Sequence, residues 1–220
     1  MPLFQPLPAY SIRIRHKTLD LSKPQIMGIL NVTPDSFSDG GQFNAVDSAL
    51  NRAQEMIAAG ATIIDIGGES TRPNAEAVAT DEEIARVIPV VKAIRSHCGD
   101  EIWLSIDTSS PQVIEAAFAA GADIWNDVRA LKREGAAAMA AKLDIPVMLM
   151  HMRGEPATMN SLAQYEDVVS EVMTELAARV EDVTSLGVKR ANIILDPGFG
   201  FAKDYAHHCA LLTQLASLQS

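Results

Sequence analysis

Residues 102–127 read IWLSIDTSSPQVIEAAFAAGADIWND, and this stretch decides the fold class. An apolar run stops on Asp107, and the pair Ser110-Pro111 after it is typical of a helix start, with an N-cap followed by proline in the first turn. Apolar residues at helical spacing then lead to Gly121, and a second apolar run stops on Asn126. A strand, a helix and another strand in this order predict a parallel sheet that is buried on both faces.

The same pattern recurs along the chain. Short apolar runs, each followed by a helical pattern, stop just before six polar residues: Asn31, Glu69, Asp107, Asn126, His151 and Asp196. The predicted strands cover residues 25–30, 62–66, 102–106, 123–125, 146–150 and 192–195. The carboxyl ends of parallel strands meet on one rim, and that rim carries the chemistry of a barrel, so the polar residues predict a functional site there.

Capping signals and apolar spacing predict the helices between these strands. Asn44 is expected to cap the first helix, which ends near Gly60, and Thr80 with Glu83 forms a capping-box pattern at the second. Pro89 must bend that second helix or remove one of its hydrogen bonds. Further helices are predicted over residues 134–143, 164–186 and 205–218.

The sequence contains six such βα units, whereas a closed barrel of this class has eight. Residues 10–21 alternate in hydrophobicity and predict a hairpin ahead of the first unit, which would plug the bottom of the barrel. We therefore expect a single α/β domain over residues 1–220. It would be a TIM (β/α)8 barrel with about six of its eight units present and an incomplete C-terminal side, or else an open sheet.

Composition and charge narrow the classes of partner. With 48% hydrophobic residues among 220, the chain suits one large α/β core. A formal net charge of −10 and the lack of a basic stripe argue against nucleic acid. No apolar run approaches the roughly 20 residues of a membrane span, and the first residues lack a signal-peptide pattern, so we expect no membrane contact and a cytoplasmic protein. Cys98 and Cys209 have no metal-ligand spacing and should be reduced.

Two polar loops carry the clearest functional signals. Residues 31–41, NVTPDSFSDGG, combine clustered side-chain oxygens with one phenylalanine at the predicted rim. Residues 67–73, GGESTRP, combine backbone flexibility with hydroxyls and a guanidinium, a combination that suits a diphosphate. A plain turn explains many loops of this kind, so neither motif is decisive alone.

Two carboxylates and an amide are predicted to converge at the same rim. Asp107 is not needed as a helix cap, because Ser109 or Ser110 can fill that role. Together with Asn126 and Asp196 it could hold the donor edge of a flat heterocycle. Taken singly, Asn126 and Asp196 also suit ordinary turns.

Three methionines alternate along the fifth predicted strand, namely Met148, Met150 and Met152. They should face one side, either as core packing or as a polarizable surface for an aromatic ring. His151 has the opposite parity and no second His or Cys at ligand spacing, so we interpret it as a structural histidine. No Ser-His-Asp or Cys-His nucleophile pattern is visible in the sequence.

Together these motifs resemble the bacterial dihydropteroate synthase family from about Leu19 to the last residue. The resemblance is carried by residues 27–41, 65–73, 106–109, 126–127, 149–152 and 195–201. It implies a (β/α)8 barrel that joins 6-hydroxymethyl-7,8-dihydropterin diphosphate to p-aminobenzoate with Mg²⁺. The products would be 7,8-dihydropteroate and diphosphate, in folate biosynthesis. The resemblance also implies competition by sulfonamides and a homodimer.

The same resemblance implies that Asp107, Asn126 and Asp196 would bind the pterin ring and act as the catalytic residues. Met150 would line the pterin pocket. Asn31 would meet the magnesium ion or the diphosphate.

The two polar loops would supply the remaining contacts. Thr71 and Arg72 would lie near the diphosphate on a mobile loop. The second substrate, p-aminobenzoate, would be enclosed by Phe37, Pro73 and Phe201.

The chain departs from the family pattern in two respects. The family's Ser-Arg-Lys motif after its seventh strand and its Arg-x-His motif after its eighth strand have no counterpart in these 220 residues, so we expect the residues present not to catalyse efficiently by themselves. Ala202 stands where the family usually has glycine, whereas Lys203 is retained. Three other interpretations stay open: a methyltetrahydrofolate-binding methyltransferase barrel, a non-catalytic pterin-binding fragment and a sugar-phosphate barrel enzyme.

Overall fold

The structure, a computed structural model, describes residues 10–33, 41–69 and 78–219. Four residues with predicted roles lie outside these ranges: Phe37, Thr71, Arg72 and Pro73. Near the N-terminus, β1 Ser11–Ile14 and β2 Lys17–Asp20 pair as an antiparallel hairpin. This hairpin was predicted from the alternation of residues 10–21, and the prediction is confirmed.

The main sheet consists of six parallel strands: β3 Met27–Asn31, β4 Ile63–Gly67, β5 Trp103–Asp107, β6 Ile124–Asp127, β7 Val147–Met150 and β8 Ile193–Asp196. Each strand pairs with the next one along the chain. In a doubly wound sheet the strand order reverses part-way, whereas in a barrel each strand lies beside the next one along the chain. The predicted α/β class with six consecutive TIM-barrel units is therefore confirmed. Within the described residues β3 and β8 are edges, and the inward Ile29 of β3 is 66% exposed.

Six α-helices accompany the strands in the described ranges: α1 Gly41–Ala58, α2 Thr80–Cys98, α3 Pro111–Ala120, α4 Ala136–Leu143, α5 Val168–Ser185 and α6 Tyr205–Thr213. The start of α3 is as predicted, because the Ser110 hydroxyl accepts a hydrogen bond from the N–H of Val113 at 3.5 Å. Within the same ranges, no helix is long and apolar enough to cross a membrane.

The predicted caps of the first two helices are wrong. α1 begins at Gly41, so Asn44 lies inside the helix and not ahead of it. α2 has Ala79 as its N-cap, and the Ala79 carbonyl accepts the first helical bond from Glu83 at 2.9 Å. Thr80 is therefore one residue too late for a capping box, and Glu83 is buried beside Gly68 instead. Pro89 lies inside α2, and its missing N–H leaves the Ala85 carbonyl without the usual donor.

Two later helices are shorter than predicted. α5 begins at Val168 and not at Gln164, because the Asp167 carboxylate accepts from the N–H groups of Val169 and Ser170 and so fixes the start. α6 ends at Thr213, and residues 215–219 form a 3-10 turn in place of a continued α-helix.

The outward faces of the strands form the largest apolar core. Its strand residues that are fully buried between sheet and helices include Ile64, Ile66, Leu104, Ile106 and Trp125. Side chains alternate along a strand, so burial of these residues against the helices turns their neighbours toward the barrel interior. The core therefore determines which polar residues face inward.

The hairpin closes the lower end of the interior. Ile12, Ile14 and Leu19 pack against residues at the starts of the main strands, among them Ile63 and Trp103. This contact confirms the predicted plug. The lower end is thus filled with apolar side chains, and the polar strand ends that could bind a ligand lie at the upper rim.

Candidate active site

The inward faces of the strands bring the predicted pterin-binding residues to one rim. The strand register aligns four residues in one row across β3 to β6: Asn31, Gly67, Asp107 and Asn126. The row continues through β7 and β8, and the Met150–Asp196 pair lies two residues beyond it. Side chains two residues apart share a face, so Asp107, Asn126 and Asp196 all face the interior. The structure thus brings together the three residues that the sequence singled out.

Asn31 and Asp107 lie on the strands at either side of Gly67, which has no side chain to separate them. A Cβ atom added at Gly67 would be 3.6 Å from Asn31 Oδ1 and also 3.6 Å from Asp107 Oδ2. Any larger residue at this position would fill the space between the amide and the carboxylate. Glycine therefore leaves space at the rim between the Asn31 amide oxygen and the Asp107 carboxylate oxygen.

Asp65 is an inward carboxylate that the sequence analysis did not single out. It lies one layer below Asp107 on β4 and is 4% exposed. Its Oδ2 accepts from Asn126 Nδ2 at 3.0 Å, whereas its Oδ1 has no hydrogen-bond partner among the described residues. The sequence could have indicated that Asp65 faces inward, because Asp65 and Gly67 are two residues apart on the same strand and therefore share a face.

The pKa values of both inward carboxylates are raised. Burial, together with the charge of Asp65, raises the pKa of Asp107 well above its ordinary value. Burial likewise raises the pKa of Asp65, although the hydrogen bond from Asn126 opposes this effect. The ligand-free site therefore favours protonated carboxyls, and a cation or a group with N–H donors would favour the ionised forms.

This electrostatic arrangement predicts a pH dependence of stability. The folded-state pKa values lie above about 3.9, the ordinary aspartate value, so between that pH and the raised values the folded state binds more protons than the unfolded state. The free energy of unfolding should then fall as pH rises from about 4 toward neutrality. Urea unfolding at several pH values should show a smaller fall for Asp107→Asn than for the wild type. Equal falls in the two proteins would contradict the assignment.

Asp127, the neighbour of Asn126, is not part of the interior. It faces outward, fully buried, where Oδ1 accepts from the N–H of Arg129 at 2.9 Å and Oδ2 from the N–H of Leu131 at 2.7 Å. The Ser109 hydroxyl also donates to it. Asp127 thus orders the turn after β6.

The loop after β8 holds Asp196 and Phe201. Asp196 Oδ1 accepts from the N–H of Gly198 at 2.7 Å. Gly198 has φ +71°, and a Cβ there would lie 2.0 Å from the His151 carbonyl oxygen, so glycine is required at this position. Ala202 also takes a left-handed conformation, with φ +49°, although it carries a Cβ. The replacement of glycine by Ala202 has therefore not prevented the turn.

Met150 and Phe201 belong to one apolar cluster beside this loop, together with Met152 and Ala202. Met148 packs separately, against the hairpin residues at the lower end. Of the three alternating methionines, Met148 is therefore core packing, whereas Met150 lies at the level of Asp196. A flat ligand above Asn126 would meet the Met150 thioether.

His151 is a structural histidine, as the sequence indicated. It is 4% exposed, and both ring nitrogens have partners: Nε2 lies 3.0 Å from Glu175 Oε2, and Nδ1 lies 2.9 Å from Lys203 Nζ. Burial and the nearby charge of Lys203 lower the pKa of His151 to about 4. The imidazole is therefore neutral at physiological pH, with its Nε2–H donated to Glu175.

A divalent cation at the rim would need oxygen ligands from the protein or the substrate. Within the described ranges, no group of three or more His, Cys, Asp or Glu side chains could hold a metal ion. Magnesium, however, usually keeps several waters and binds through one or two protein oxygens and the substrate phosphates. The Asn31 amide oxygen, beside the Asp107 carboxylate, is compatible with that weaker mode of binding.

The family model of the pterin binding enzymes matches residues 27–220. The chain is also 50% identical to dihydropteroate synthase of Escherichia coli strain K12, over 90% of this chain and 70% of that protein. The chain belongs to the dihydropteroate synthase family.

Solved dihydropteroate synthases superimpose closely on this chain. The Yersinia pestis enzyme, crystallised with a sulfonamide drug complex, matches with a TM-score of 0.88 and 48% identity over 95% of this chain and 75% of that one. The Xanthomonas albilineans enzyme with 4-aminobenzoic acid matches with a TM-score of 0.87 and 42% identity over 96% of this chain and 74% of that one. The described barrel units are thus those of a dihydropteroate synthase fold, and the chain spans roughly three quarters of these enzymes.

Proposed function

We propose that this chain binds 6-hydroxymethyl-7,8-dihydropterin diphosphate and joins it to p-aminobenzoate, yielding 7,8-dihydropteroate and diphosphate. The observation that carries the proposal is the inward set of Asp107, Asn126 and Asp196 above the buried Asp65. It is supported by membership of the dihydropteroate synthase family and by the relative that was crystallised with 4-aminobenzoic acid.

Recognition of the pterin follows from the hydrogen-bonding capacity of these groups. The 2-amino group and ring N–H of a pterin form a row of donors, and ionised carboxylates accept such pairs side by side. Asn126 donates one side-chain N–H to Asp65. Its side-chain carbonyl oxygen and its second N–H are then available to the heterocycle. This mixture of acceptors and one donor matches a ring that presents both kinds of group. Ligand donors would also relieve the repulsion between Asp107 and Asp65.

The chemical step requires stabilisation of charge at both ends of the breaking bond. Cleavage of the carbon–oxygen bond at the pterin methylene leaves a delocalised cation and a diphosphate anion. Asp107 and Asp196 would lower the energy of the cation by their negative charge, in an interior that excludes water on the hairpin side. The amine of p-aminobenzoate then attacks the methylene carbon and loses a proton. No protein nucleophile is needed.

The leaving diphosphate would be bound near Asn31, Thr71 and Arg72. A Mg²⁺ ion held through Asn31 would supply positive charge to the diphosphate as it departs. Asn31 is exposed on the rim, where waters and phosphate oxygens can complete the coordination. Thr71 and Arg72 lie outside the described residues, and their roles remain part of the proposal.

The second substrate would sit beside the loop after β8. Phe201 is partly buried and packs on the cluster that contains Met150, so its ring borders the pterin side of the site. Phe37 and Pro73 would complete the enclosure of p-aminobenzoate. A sulfonamide with the same aniline group would compete at this position.

The broader setting is likewise proposed. A homodimer is what the family resemblance implies, and a cytoplasmic location fits the two free cysteines, Cys98 and Cys209. The acidic net charge of −10 supports the expectation that neither nucleic acid nor a membrane surface is a partner.

Calorimetric titration with the pterin diphosphate and Mg²⁺, followed by addition of p-aminobenzoate and detection of dihydropteroate, tests the proposal. We expect saturable pterin binding and a product that forms slowly, because the six βα units do not include the family's Ser-Arg-Lys motif after strand seven or its Arg-x-His motif after strand eight. Binding without any product would favour the non-catalytic interpretation. Methyl transfer from methyltetrahydrofolate, or failure to bind the pterin diphosphate, would contradict the assignment.

A further inference from the structure

Lys203 is a buried cation that the proposed reaction does not use. Only 8% of its surface is exposed, although lysine is rarely buried without partners. Four acceptor atoms surround its ammonium group: His151 Nδ1 at 2.9 Å, the Phe201 carbonyl at 3.0 Å, the Gly198 carbonyl at 3.2 Å and the His151 carbonyl at 3.3 Å. The cost of burying the charge is offset by these contacts.

The four acceptors belong to two different loops. His151 follows β7, whereas Gly198 and Phe201 follow β8, so the ammonium joins the two loops at the rim. Three residues of the β8 loop take left-handed conformations around this point: Gly198, Gly200 and Ala202. The N–H groups of this loop have partners of their own, on Asp196, Gly198 and His208, whereas the Gly198 and Phe201 carbonyls both accept from the lysine.

We propose that Lys203 is a positioning residue that holds Phe201 against the Met150 cluster and so shapes the p-aminobenzoate side of the site. The inference rests on the proposed function for the identity of that ligand. Asp196 is less dependent on Lys203, because it has its own hydrogen bond from the N–H of Gly198 and its carbonyl accepts from the N–H of His151. Loss of the ammonium should therefore affect p-aminobenzoate more than the pterin.

His151 and Glu175 complete the arrangement. Since Nδ1 of His151 must accept from Lys203, its proton lies on Nε2 and is donated to Glu175 of α5. Glu175 also pairs with Arg153, which stacks over the Tyr165 ring at 4.0 Å. Lys203 is thus connected to α5 through the His151 imidazole and Glu175, and this connection anchors the two loops to a helix.

The charges that face Lys203 make the contact sensitive to pH. Burial lowers the pKa of Lys203 to about 8, against the opposing charges of Asp196 and Glu175, while Arg153 lowers it further. His151 is the remaining titratable neighbour and is already neutral there. Above about pH 8 the group becomes an amine with one proton fewer, so it donates fewer hydrogen bonds to the loop carbonyls.

The test replaces Lys203 by methionine, which keeps the length and removes the donors, and by glutamine, which keeps an N–H donor without the charge. Lys189→Met is the matched control, because Lys189 is an exposed lysine paired with Asp144. We expect the affinity for p-aminobenzoate, measured in the presence of the pterin diphosphate, to fall about tenfold in Lys203→Met, as for the loss of one or two charged hydrogen bonds. The glutamine variant should fall less, and pterin binding should change less than threefold.

Several outcomes would overturn the inference. Equal loss of pterin and p-aminobenzoate affinity, or unchanged affinity with a lower melting temperature, would make Lys203 a merely structural residue. If the methionine variant does not fold, the glutamine variant carries the comparison, and the wild-type affinity for p-aminobenzoate between pH 7 and 9 decides independently. That affinity should weaken above about pH 8. Wild-type protein that binds neither substrate would instead refute the proposed function.

Discussion

Replacing Asp107 by asparagine should abolish most of the activity without lowering stability. The carboxylate is needed to accept from pterin N–H groups and to face the developing cation, whereas an asparagine amide would oppose those donors. We expect pterin affinity to fall about tenfold to a hundredfold, and turnover by about 10²–10³. Calorimetry gives the first quantity, and the rate of diphosphate release gives the second.

The stability of this variant should be unchanged or increased at neutral pH. Asp107 is repelled by the buried Asp65 and carries a raised pKa, so removal of its charge relieves an unfavourable interaction in the folded protein. Asp127→Asn is the matched control, because Asp127 is a buried carboxylate that caps a turn on the outward face. The control should lose about 1–3 kcal/mol of stability and keep its pterin affinity. Parallel behaviour of the two variants would refute the assignment of Asp107.

Replacing Asp123 by alanine should produce the largest loss of stability. The carboxylate lies just before β6, is 1% exposed, and meets Lys17 at 2.6 Å, Arg95 at 2.7 Å and Arg15 at 3.5 Å. Its removal leaves the largely buried Lys17 without its carboxylate and leaves Arg95 with only the exposed Asp100 at 3.6 Å among the described carboxylates, and breaking a buried pair in this way costs about 3–5 kcal/mol. It also removes an acceptor for the N–H of Leu104.

Thermal unfolding measures this effect directly. For a chain of this size, such a loss lowers the melting temperature by roughly 10 °C. Glu181→Ala is the control, because Glu181 pairs with Arg190 on the surface and both side chains are about 70% exposed. That variant should melt within experimental error of the wild type. An equally stable Asp123→Ala protein would show that the hairpin is held by its apolar contacts alone.

Asp107 and Asp123 are both buried aspartates, but they have different roles. Asp123 is matched by three cations at the closed end, where its role is to attach the hairpin to α2 and β5. Asp107 is surrounded by other carboxyls at the open end and lacks such compensation among the described residues. An unfavourable charge arrangement kept at an open rim is typical of a binding or catalytic site.

Much of the fold was predictable because its signals are local. All six main strands lie within two residues of their predicted bounds, since an apolar run that stops at a polar residue depends only on neighbouring residues. The helix ends were predicted less well. Thr80 and Glu83 match a capping box by spacing, yet the chain enters α2 one residue earlier and Glu83 is drawn into a buried position beside Gly68.

The sequence by itself determined that Asp107, Asn126 and Asp196 would lie at the ends of parallel strands, because the position of a residue within a strand is a local property. Only the tertiary structure decided that Asp65 accepts a hydrogen bond from Asn126, that Asp127 binds the turn after β6, and that Lys203 links two loops. These outcomes depend on the register between strands and on which face the helices cover. The paired strand residues are 19 to 46 positions apart and Lys203 is 52 positions from His151, so no local pattern encodes these contacts.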